Sequence, residues 1–262
     1  MSDTTKDKPM STGAQEFTGR TALITGGGSG IGRAVAHRLA GAGAAVVVTG
    51  RNGDKIEKVA SEIEERGGRA LALIADVTDP DAVAASVRAA VDTFGGLHLA
   101  VNNAAIPGPK GLTGEFPPEA FRQVITTNLI GVFNSLHHEL PAIVASGGGA
   151  VVNMGSILSV KALAGSPAYT AAKHGLIGLT KASALEYAPL GVRVNTVGPG
   201  FVETEFLVDF DDETKEYFAK LHPAGRFGTT EEVAELTAFL LSDRASFAYG
   251  SYYPVDGGYA AA

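Results

Sequence analysis

The sequence predicts an α/β protein with one doubly wound, mostly parallel sheet of seven strands and helices on both faces. Short β-rich runs alternate with helical stretches along the chain, which is the pattern of strand–helix–strand units. The strand runs are continuously apolar and do not alternate, as expected for strands buried on both faces. In such a sheet, ligands bind at the carboxyl ends of the strands.

The elements follow one another in order along the chain. The predicted strands are TALIT (21–25), AAVVVT (44–49), ALALIA (70–75), LHLAVN (97–102), AVVNM (150–154), VRVNTV (192–197) and a late closing strand, SYYPVD (251–256). The early helical stretches are 30–43, 53–68 and 79–96, and the last two end in Gly-Gly, a helix stop signal. Ser166 and Pro167 predict the start of a longer helix that runs to about Tyr187, before Pro189.

Composition excludes several classes of function. The 262 residues are 45% hydrophobic and carry a net charge of −7, which disfavours nucleic-acid or membrane-surface binding. The chain has no cysteine, so thiolate catalysis and Cys–zinc sites are excluded, and a reducing cytoplasm is the expected location. Its six histidines show no metal-ligand grouping. We expect residues 1–18 to be a flexible leader without a signal peptide, and residues 19–262 to form a single catalytic domain.

A glycine-rich loop follows the first predicted strand and opens the first helix. Its spacing is TGxxxGxG, which differs from the GxGxxG pattern. Glycine lets the backbone approach a pyrophosphate, and the helix N-terminus supplies free N–H groups. The residues of this loop that are expected to bind a dinucleotide are Gly26, Ser29, Gly30, Ile31 and Gly32.

Tyr169 and Lys173 lie four residues apart on the predicted long helix and therefore share one face. A free tyrosine has a pKa of about 10, which is too high for a base near neutrality. A nearby ammonium favours the phenolate, and a shift of ~3 units requires ~4 kcal/mol. We therefore expect Lys173 to lower the pKa of Tyr169 and make it a workable proton donor and acceptor.

The order of motifs resembles the short-chain dehydrogenase/reductase superfamily, specifically its compact single-domain branch with a Rossmann-like fold. The resemblance covers about residues 18–259. It rests on TGGGSGIG, DV at 76–77, NNAA at 102–105, Asn128, NMGS ending at Ser156, YTAAK, and PGFVET at 199–204.

The resemblance implies a reaction and a set of residue roles. The reaction is hydride transfer between a nicotinamide cofactor and a ketone or secondary alcohol. Tyr169 carries the proton, Lys173 also holds the nicotinamide ribose, Ser156 steadies the reacting oxygen, and Asn128 holds a water that passes protons to Lys173. Ser159 is a competitor of Ser156, but it lacks the family's interval of thirteen residues to Tyr169. The further cofactor contacts expected are Asp76, Val77, Asn103, Ala104, Pro199, Gly200, Val202 and Thr204.

The end of the second strand bears on the choice of cofactor. An acidic residue there binds the adenine ribose hydroxyls, whereas an arginine accommodates a 2′-phosphate. Gly50 takes the acid's place and Arg51 follows it, so NADP(H) is favoured over NAD(H). NAD(H) remains the alternative, because Ser29 stands where some NADP-using relatives carry a basic residue. A nucleotide sensor without turnover is a further alternative, although no catalytic residue is missing.

The segments expected to contact the substrate contain fewer informative motifs than those expected to bind the cofactor. The resemblance places a mobile lid at 201–222, where Phe206, Leu207, Phe210, Tyr217 and Phe218 are candidates to cover an apolar substrate. Candidates for the opposite wall are Ile106, Leu158 and Leu163. The acidic run 209–213 disfavours strongly anionic substrates if it faces the mouth, although a solvated face is the favoured interpretation. A homotetramer is expected. In its first contact the long helix pairs with the helix around 121–145, and the small residues Ala168, Ala172, Gly175, Gly178 and Ala182 allow the close approach. A second contact uses the helix near 230–242 and the strand SYYPVD, with the tail against a neighbour. The alternative is a dimer that uses the first contact alone.

Overall fold

Seven parallel strands form one sheet in the order β3-β2-β1-β4-β5-β6-β7. The computed structural model describes residues 15–205 and 211–261. The strands are β1 (Thr21–Thr25), β2 (Ala45–Gly50), β3 (Arg69–Ile74), β4 (Leu99–Asn102), β5 (Gly149–Met154), β6 (Val192–Pro199) and β7 (Tyr252–Val255). The predicted fold class is confirmed, and each of the seven predicted strands is present within a few residues of its expected bounds.

Eight α-helices lie within the described residues. They are α1 (Gly30–Gly41), α2 (Gly53–Glu65), α3 (Pro80–Phe94), α4 (Pro118–Ile125), α5 (Gly131–Ala145), α6 (Pro167–Tyr187), α7 (Asp212–Lys220) and α8 (Thr230–Leu241). A π-helical turn, Thr126–Ile130, joins α4 to α5. None of the helices in this described part combines the length and the apolar character needed to cross a bilayer.

The core has two layers, one on each face of the sheet. Successive residues of a strand point to opposite faces, so Ile24 packs into the layer formed with α1, α2 and α8, while Leu23 packs into the layer formed with α3, α5 and α6. Both side chains are at most 1% exposed. This two-sided burial explains why the strands read as continuous apolar runs.

The direction of strand order changes at β1. From β1 the chain builds outward through β2 and β3, and then returns to place β4 on the other side of β1. The loops after β1 and β4 therefore diverge at the carboxyl edge of the sheet and leave a crevice between them. Doubly wound sheets bind their ligands at this switch point.

The packed part of the chain begins earlier than the predicted boundary at residue 19. Phe17 is 2% exposed, belongs to the core layer with α1 and α8, and donates its backbone N–H to Ala42 O at 2.8 Å. Most of the expected leader, residues 1–14, lies outside the described residues. This contact could have been predicted from the sequence, because Phe17 is an apolar residue within a polar stretch.

The ends of the long helix α6 match the prediction, but the expected cap does not form. The helix begins at Pro167 and ends at Tyr187. Ser166 occupies the N-cap position, yet its side chain makes no capping hydrogen bond. Its Oγ instead accepts a hydrogen bond from Lys110 Nζ at 2.6 Å. A tertiary contact has therefore replaced the local one.

The stripe of small residues on α6 does not face outward as a whole. Ala168 and Ala172 are at most 1% exposed, and a Cβ at Gly175 would lie 2.9 Å from Leu129 Cδ2. These residues let α6 approach its own domain closely. Gly178 and Ala182 are exposed, so that part of the stripe alone lies on the surface.

Candidate active site

Two cavities at the carboxyl edge of the sheet share Asn103, Ala105 and Ile106 in their walls. The first, of about 320 Å³, contains Ser156, Tyr169 and Lys173 and is named here the Tyr169 cavity. The second, of about 340 Å³, contains Arg51 with Gly26, Gly28 and Ser29 of the glycine loop and is named the Arg51 cavity. The two adjoining spaces suit the two halves of an extended ligand.

The glycine loop forms a cradle that side chains would fill. Gly26 and Gly30 have φ angles of +63° and +50°, in the left-handed region that favours glycine. A Cβ at Gly32 would overlap the carbonyl oxygen of Gly26 and lie 2.6 Å from Asn103 Nδ2. Ser29 makes no side-chain cap on α1, so the first N–H groups of this helix face the crevice without a local acceptor. The cradle fits the pyrophosphate of a dinucleotide.

Thr25 and Asn103 tie this loop to the end of β4. Thr25 Oγ1 accepts hydrogen bonds from the backbone N–H groups of Asn103 at 3.0 Å and Ala104 at 3.2 Å. Asn103 Nδ2 donates to Thr25 O and Gly26 O at 3.2 and 3.0 Å. The expected cofactor residues Asn103 and Ala104 therefore also hold the shape of the loop.

The Arg51 cavity holds a second cation that the sequence did not indicate. Arg51 lines it, and Lys55 on the first turn of α2 joins it there. Lys55 Nζ donates to Glu205 Oε2 at 2.6 Å, which joins α2 to the segment after β6. Two basic side chains therefore lie at this end of the crevice, and one of them is already paired with a carboxylate.

Asp76 and Val77 also line the Arg51 cavity. Asp76 Oδ1 accepts from the backbone N–H and the hydroxyl of Thr78, both at 2.9 Å, so this carboxylate closes a turn as well as facing the cavity. Val77 is 7% exposed, and its carbonyl accepts from Asn134 Nδ2 at 2.9 Å. Both residues are held firmly after β3.

Tyr169 and Lys173 meet on one face of α6. Lys173 Nζ lies 5.5 Å from the centroid of the Tyr169 ring and donates to Met154 O at 2.6 Å. Lys173 is 2% exposed, and burial lowers the pKa of its ammonium to about 8. The bond to Met154 fixes α6 against the end of β5.

Ser156 is oriented by the turn that follows β5. Its Oγ accepts from Leu158 N at 3.1 Å, and Ser156 and Tyr169 line the same cavity. Ser159 Oγ accepts from Ser156 N at 3.2 Å, and Ser159 is 2% exposed and outside the walls of the cavity. Ser159 therefore supports Ser156. Tyr252 on β7, which the sequence did not single out, donates its hydroxyl to Ser156 O at 3.1 Å.

The pKa of Tyr169 shifts opposite to the sequence expectation. Burial raises the pKa to about 12, and the hydrogen bond from Ser156 opposes that rise. The expected lowering by Lys173 does not appear among the protein's own groups. The reason is that the site is drier than the sequence argument assumed, and desolvation penalises the phenolate more than its neighbours favour it.

Asn128 lies behind the cavity, in the π-helical turn, and is fully buried. Its Oδ1 accepts from Ile106 N and its Nδ2 donates to Ile106 O, both at 2.8 Å. These two bonds hold the segment after β4, whose Ile106 lines the Tyr169 cavity. The structure thus gives the Asn128 side chain a positioning contact and not a place in the cavity wall.

The segment after β6 supplies the remaining wall. Pro199, Gly200, Val202 and Thr204 all line the Tyr169 cavity. His222 positions this segment, because its Nε2 accepts from Phe201 N at 3.1 Å while its Nδ1 contacts Phe218 O at 2.9 Å. A Cβ at Gly200 would lie 2.7 Å from His222 Nε2, so the close approach requires glycine. No sequence pattern had indicated His222.

The substrate side of the Tyr169 cavity is mostly apolar. Ile106, Leu158 and Leu163 line it as expected, and Tyr259 and Lys110 join them without having been predicted. Of the lid candidates, Phe218 packs on Phe201 with ring centroids 4.5 Å apart, whereas Tyr217 is 61% exposed. Phe206, Leu207 and Phe210 lie outside the described residues.

This edge of the sheet defines a class of protein. A glycine cradle at the switch point continues directly into a cavity that holds a serine, a tyrosine and a lysine. Within residues 15–205 and 211–261, no group of three His, Asp or Glu side chains is arranged to hold a metal ion. The arrangement is that of an oxidoreductase that acts on CH–OH groups with a nicotinamide cofactor.

Comparison with known proteins gives the family. The family model described as enoyl-(acyl carrier protein) reductase matches residues 26–260. The chain belongs to the short-chain dehydrogenase/reductase family, as its motifs predicted.

Several relatives are similar over nearly their whole length. Cyclohexanol dehydrogenase of Acinetobacter sp. (strain SE19) is 49% identical over 246 residues, which cover 94% of this chain and 97% of that protein. Cis-4-hydroxycyclohexanecarboxylate dehydrogenase of Sinomonas cyclohexanicum is 43% identical, covering 94% and 99%. The crystal structure of levodione reductase superposes with a TM-score of 0.91 at 38% identity, covering 94% of this chain and 99% of that one.

Proposed function

We propose that the protein transfers a hydride between NADP(H) and a ring ketone or ring secondary alcohol, with Tyr169 as the acid and base. The observation that supports this most is that Ser156, Tyr169 and Lys173 line one cavity beside the glycine cradle, with Lys173 Nζ 5.5 Å from the centroid of the Tyr169 ring. The names of the relatives support a ring substrate, as do the apolar walls of a cavity of about 320 Å³.

Tyr169 and Ser156 have different roles at the reacting oxygen. When bound, the nicotinamide cofactor supplies or accepts the hydride. Tyr169 donates its hydroxyl proton to the carbonyl oxygen as negative charge develops there. The Ser156 hydroxyl is the second donor to that oxygen and stabilises it during the transfer. Leu158 N donates to Ser156 Oγ, which leaves the Ser156 proton free to point into the cavity.

The residues of the Arg51 cavity support NADP(H). Gly50 presents no carboxylate to repel a 2′-phosphate, and Arg51 and Lys55 are both at hand to pair with one. The pyrophosphate would lie on the cradle of Gly26 to Gly32, and Asp76 would bind the adenine. NAD(H) is the second candidate, because Lys55 is already engaged with Glu205 at 2.6 Å.

The proposed assembly is a homotetramer with two different two-fold contacts. Ile130 and Phe133, at the start of α5, are 45% and 52% exposed and suit the first contact. Phe239 on α8 and Phe247 before β7 are 38% and 98% exposed and suit the second. The C-terminal tail, which is expected to contact a neighbouring subunit, also forms part of its own subunit's site, because Tyr259 lines the Tyr169 cavity.

The proposed reaction is tested with cyclohexanone and cyclohexanol, each assayed with both nicotinamide cofactors, in the wild type and in Tyr169→Phe. The variant keeps the ring and loses the proton, so we expect turnover to fall by roughly 10²-fold or more while nucleotide binding, measured by fluorescence titration, is retained. Tyr187→Phe, on the same helix but outside the cavity, is the matched control.

Two results would count against the proposal. If Tyr169→Phe keeps most of its kcat, Tyr169 is not the acid and base. If the wild type binds nucleotide but turns over no ketone or secondary alcohol, the alternative of a nucleotide sensor is favoured.

A further inference from the structure

The Tyr169 cavity contains a charged side chain that the proposed chemistry does not use, Lys110. The other charged residue in its walls is Lys173, whose Nζ donates to Met154 O at 2.6 Å. Among the described residues that line this cavity there is no carboxylate. The described walls of the cavity therefore present positive charge without a matching acid.

Lys110 is held at a defined place. Gly111 N donates to Gly165 O at 3.0 Å, so the segment that carries Lys110 runs beside the residues just before α6. Lys110 Nζ donates to Oγ of Ser166, which is 4% exposed and lies three residues before Tyr169. The ammonium is thereby fixed to the same helix end that carries the proton donor.

The partner of this ammonium is neutral. Burial of part of the side chain lowers the pKa of Lys110. A hydroxyl accepts one hydrogen bond but does not balance the charge, whereas a carboxylate would do both. Lys110 is exposed at the mouth of the cavity, so a ligand can reach it.

We propose that Lys110 is a specificity-determining residue that binds a carboxylate of the substrate. The preferred substrates are then ring ketones and secondary alcohols that carry a carboxylate away from the reacting carbon. The inference rests on the proposed function, since it takes the reacting oxygen to lie at Tyr169 and Ser156. Leu158 and Leu163, in the same walls, would contact the ring.

The described residues of the acidic run near the lid do not stand against an anionic substrate. Asp211 accepts from Thr214 N at 2.8 Å and caps α7, and its neighbour Asp212 is exposed. Neither residue lines the cavity. Asp209, in the same run, lies outside the described residues.

The test compares two substrates that differ in charge, 4-oxocyclohexanecarboxylate and its methyl ester. In Lys110→Met we expect the ratio of kcat/KM for the acid over the ester to fall about tenfold, which corresponds to ~1.4 kcal/mol. Lys110→Arg should retain most of the ratio. Lys58→Met, which removes an exposed lysine of α2 outside both cavities, is the control and should leave the ratio as it is. An unchanged ratio in Lys110→Met overturns the proposal, and so does an equal loss for both substrates, which would mean that Lys110 only supports α6.

A binding measurement separates this proposal from the proposed function. Calorimetric titration with cyclohexanecarboxylate, which has no reacting group, should show weaker binding to Lys110→Met than to the wild type, with cyclohexanecarboxamide as the neutral comparison. If no ketone or alcohol is turned over but this difference is seen, the reaction is wrong and the anion site stands. If ring ketones are turned over and the difference is absent, the anion site is wrong and the reaction stands.

Discussion

Glu139 on α5 is a carboxylic acid buried beneath the active site, and its replacement by glutamine tests how the site is supported. It is 0% exposed, and Oε2 accepts from Asn102 Nδ2 at 3.0 Å. Asn102 Nδ2 also donates to Asn153 Oδ1 at 3.0 Å, and Asn153 Nδ2 donates to Thr180 Oγ1 at 2.9 Å. This chain of bonds joins α5, β4, β5 and α6 behind Tyr169. Within the described residues, Glu139 Oε1 and Asn102 Oδ1 have no partner.

Burial raises the pKa of Glu139 from 4.5 to about 8. The folded protein therefore holds a proton that the unfolded chain releases, so the contribution to stability is complete below the unfolded pKa and is lost as the pH rises through the folded pKa. Each pH unit in this window is worth ~1.4 kcal/mol. Raising the pH from about 5.5 to about 8.5 should lower the unfolding free energy of the wild type by roughly 3 kcal/mol through this group. Glu139→Gln has no proton to lose at this position and should not show that decrease.

The assay is urea unfolding of the wild type and Glu139→Gln at the two pH values, at one fixed protomer concentration because the assembly affects stability. We expect the unfolding free energy of Glu139→Gln, relative to that of the wild type, to rise by roughly 3 kcal/mol between the lower and the higher pH. Glu57→Gln on α2, which changes an exposed glutamate, controls for general charge effects. Parallel curves for Glu139→Gln and the wild type would refute the reasoning and show that Glu139 is ionised or hydrated in the folded protein.

Two further predictions concern the cofactor and the assembly. The wild type should show a higher kcat/KM with NADPH than with NADH, and Gly50→Asp combined with Arg51→Ile should reverse or greatly reduce that preference; a wild type that prefers NADH contradicts the first part. The new Cβ at residue 50 would lie 3.1 Å from Ile56 Cγ2, which requires a small shift only. Light scattering should give a mass near four chains of 26.8 kDa each, and a mass near one or two chains contradicts the tetramer. Deletion of residues 257–262 should weaken the second contact first.

The fold was predictable because its signal is local. Each strand is a short apolar run, and burial on both faces of the sheet is what makes the runs continuous. The placement of Ser156, Tyr169 and the glycine loop in adjoining cavities follows from the topology, since the ends of parallel strands meet at one edge. The spacing of these residues and the expected strand order were therefore sufficient to predict that these groups lie at the same edge of the sheet.

The rest of the site was not predictable because its contacts join distant parts of the chain. Lys110 and Ser166 are 56 residues apart, and Phe201 and His222 are 21 residues apart. Neither pair belongs to one periodic pattern, so no local reading of the sequence finds them. Ser166 shows the difficulty directly, because the local rule predicted an N-cap and the tertiary partner took its oxygen. The desolvation of Tyr169 likewise depends on all the walls of its cavity, which come from residues as far apart as Ile31 and Tyr259.

The opposite pKa shifts of Tyr169 and Lys173 have one cause and bear on both directions of the proposed reaction. Burial favours the neutral form of each group, so it raises the pKa of Tyr169 to about 12 and lowers that of Lys173 to about 8. At neutral pH Tyr169 is protonated, which is the state needed to donate a proton to a ketone. Oxidation of an alcohol instead needs the phenolate, which the Ser156 hydroxyl favours. Lys173 itself loses its charge above about pH 8, so the protein's own groups are set for proton donation, and the reverse direction depends on the positive charge that the oxidised cofactor would bring.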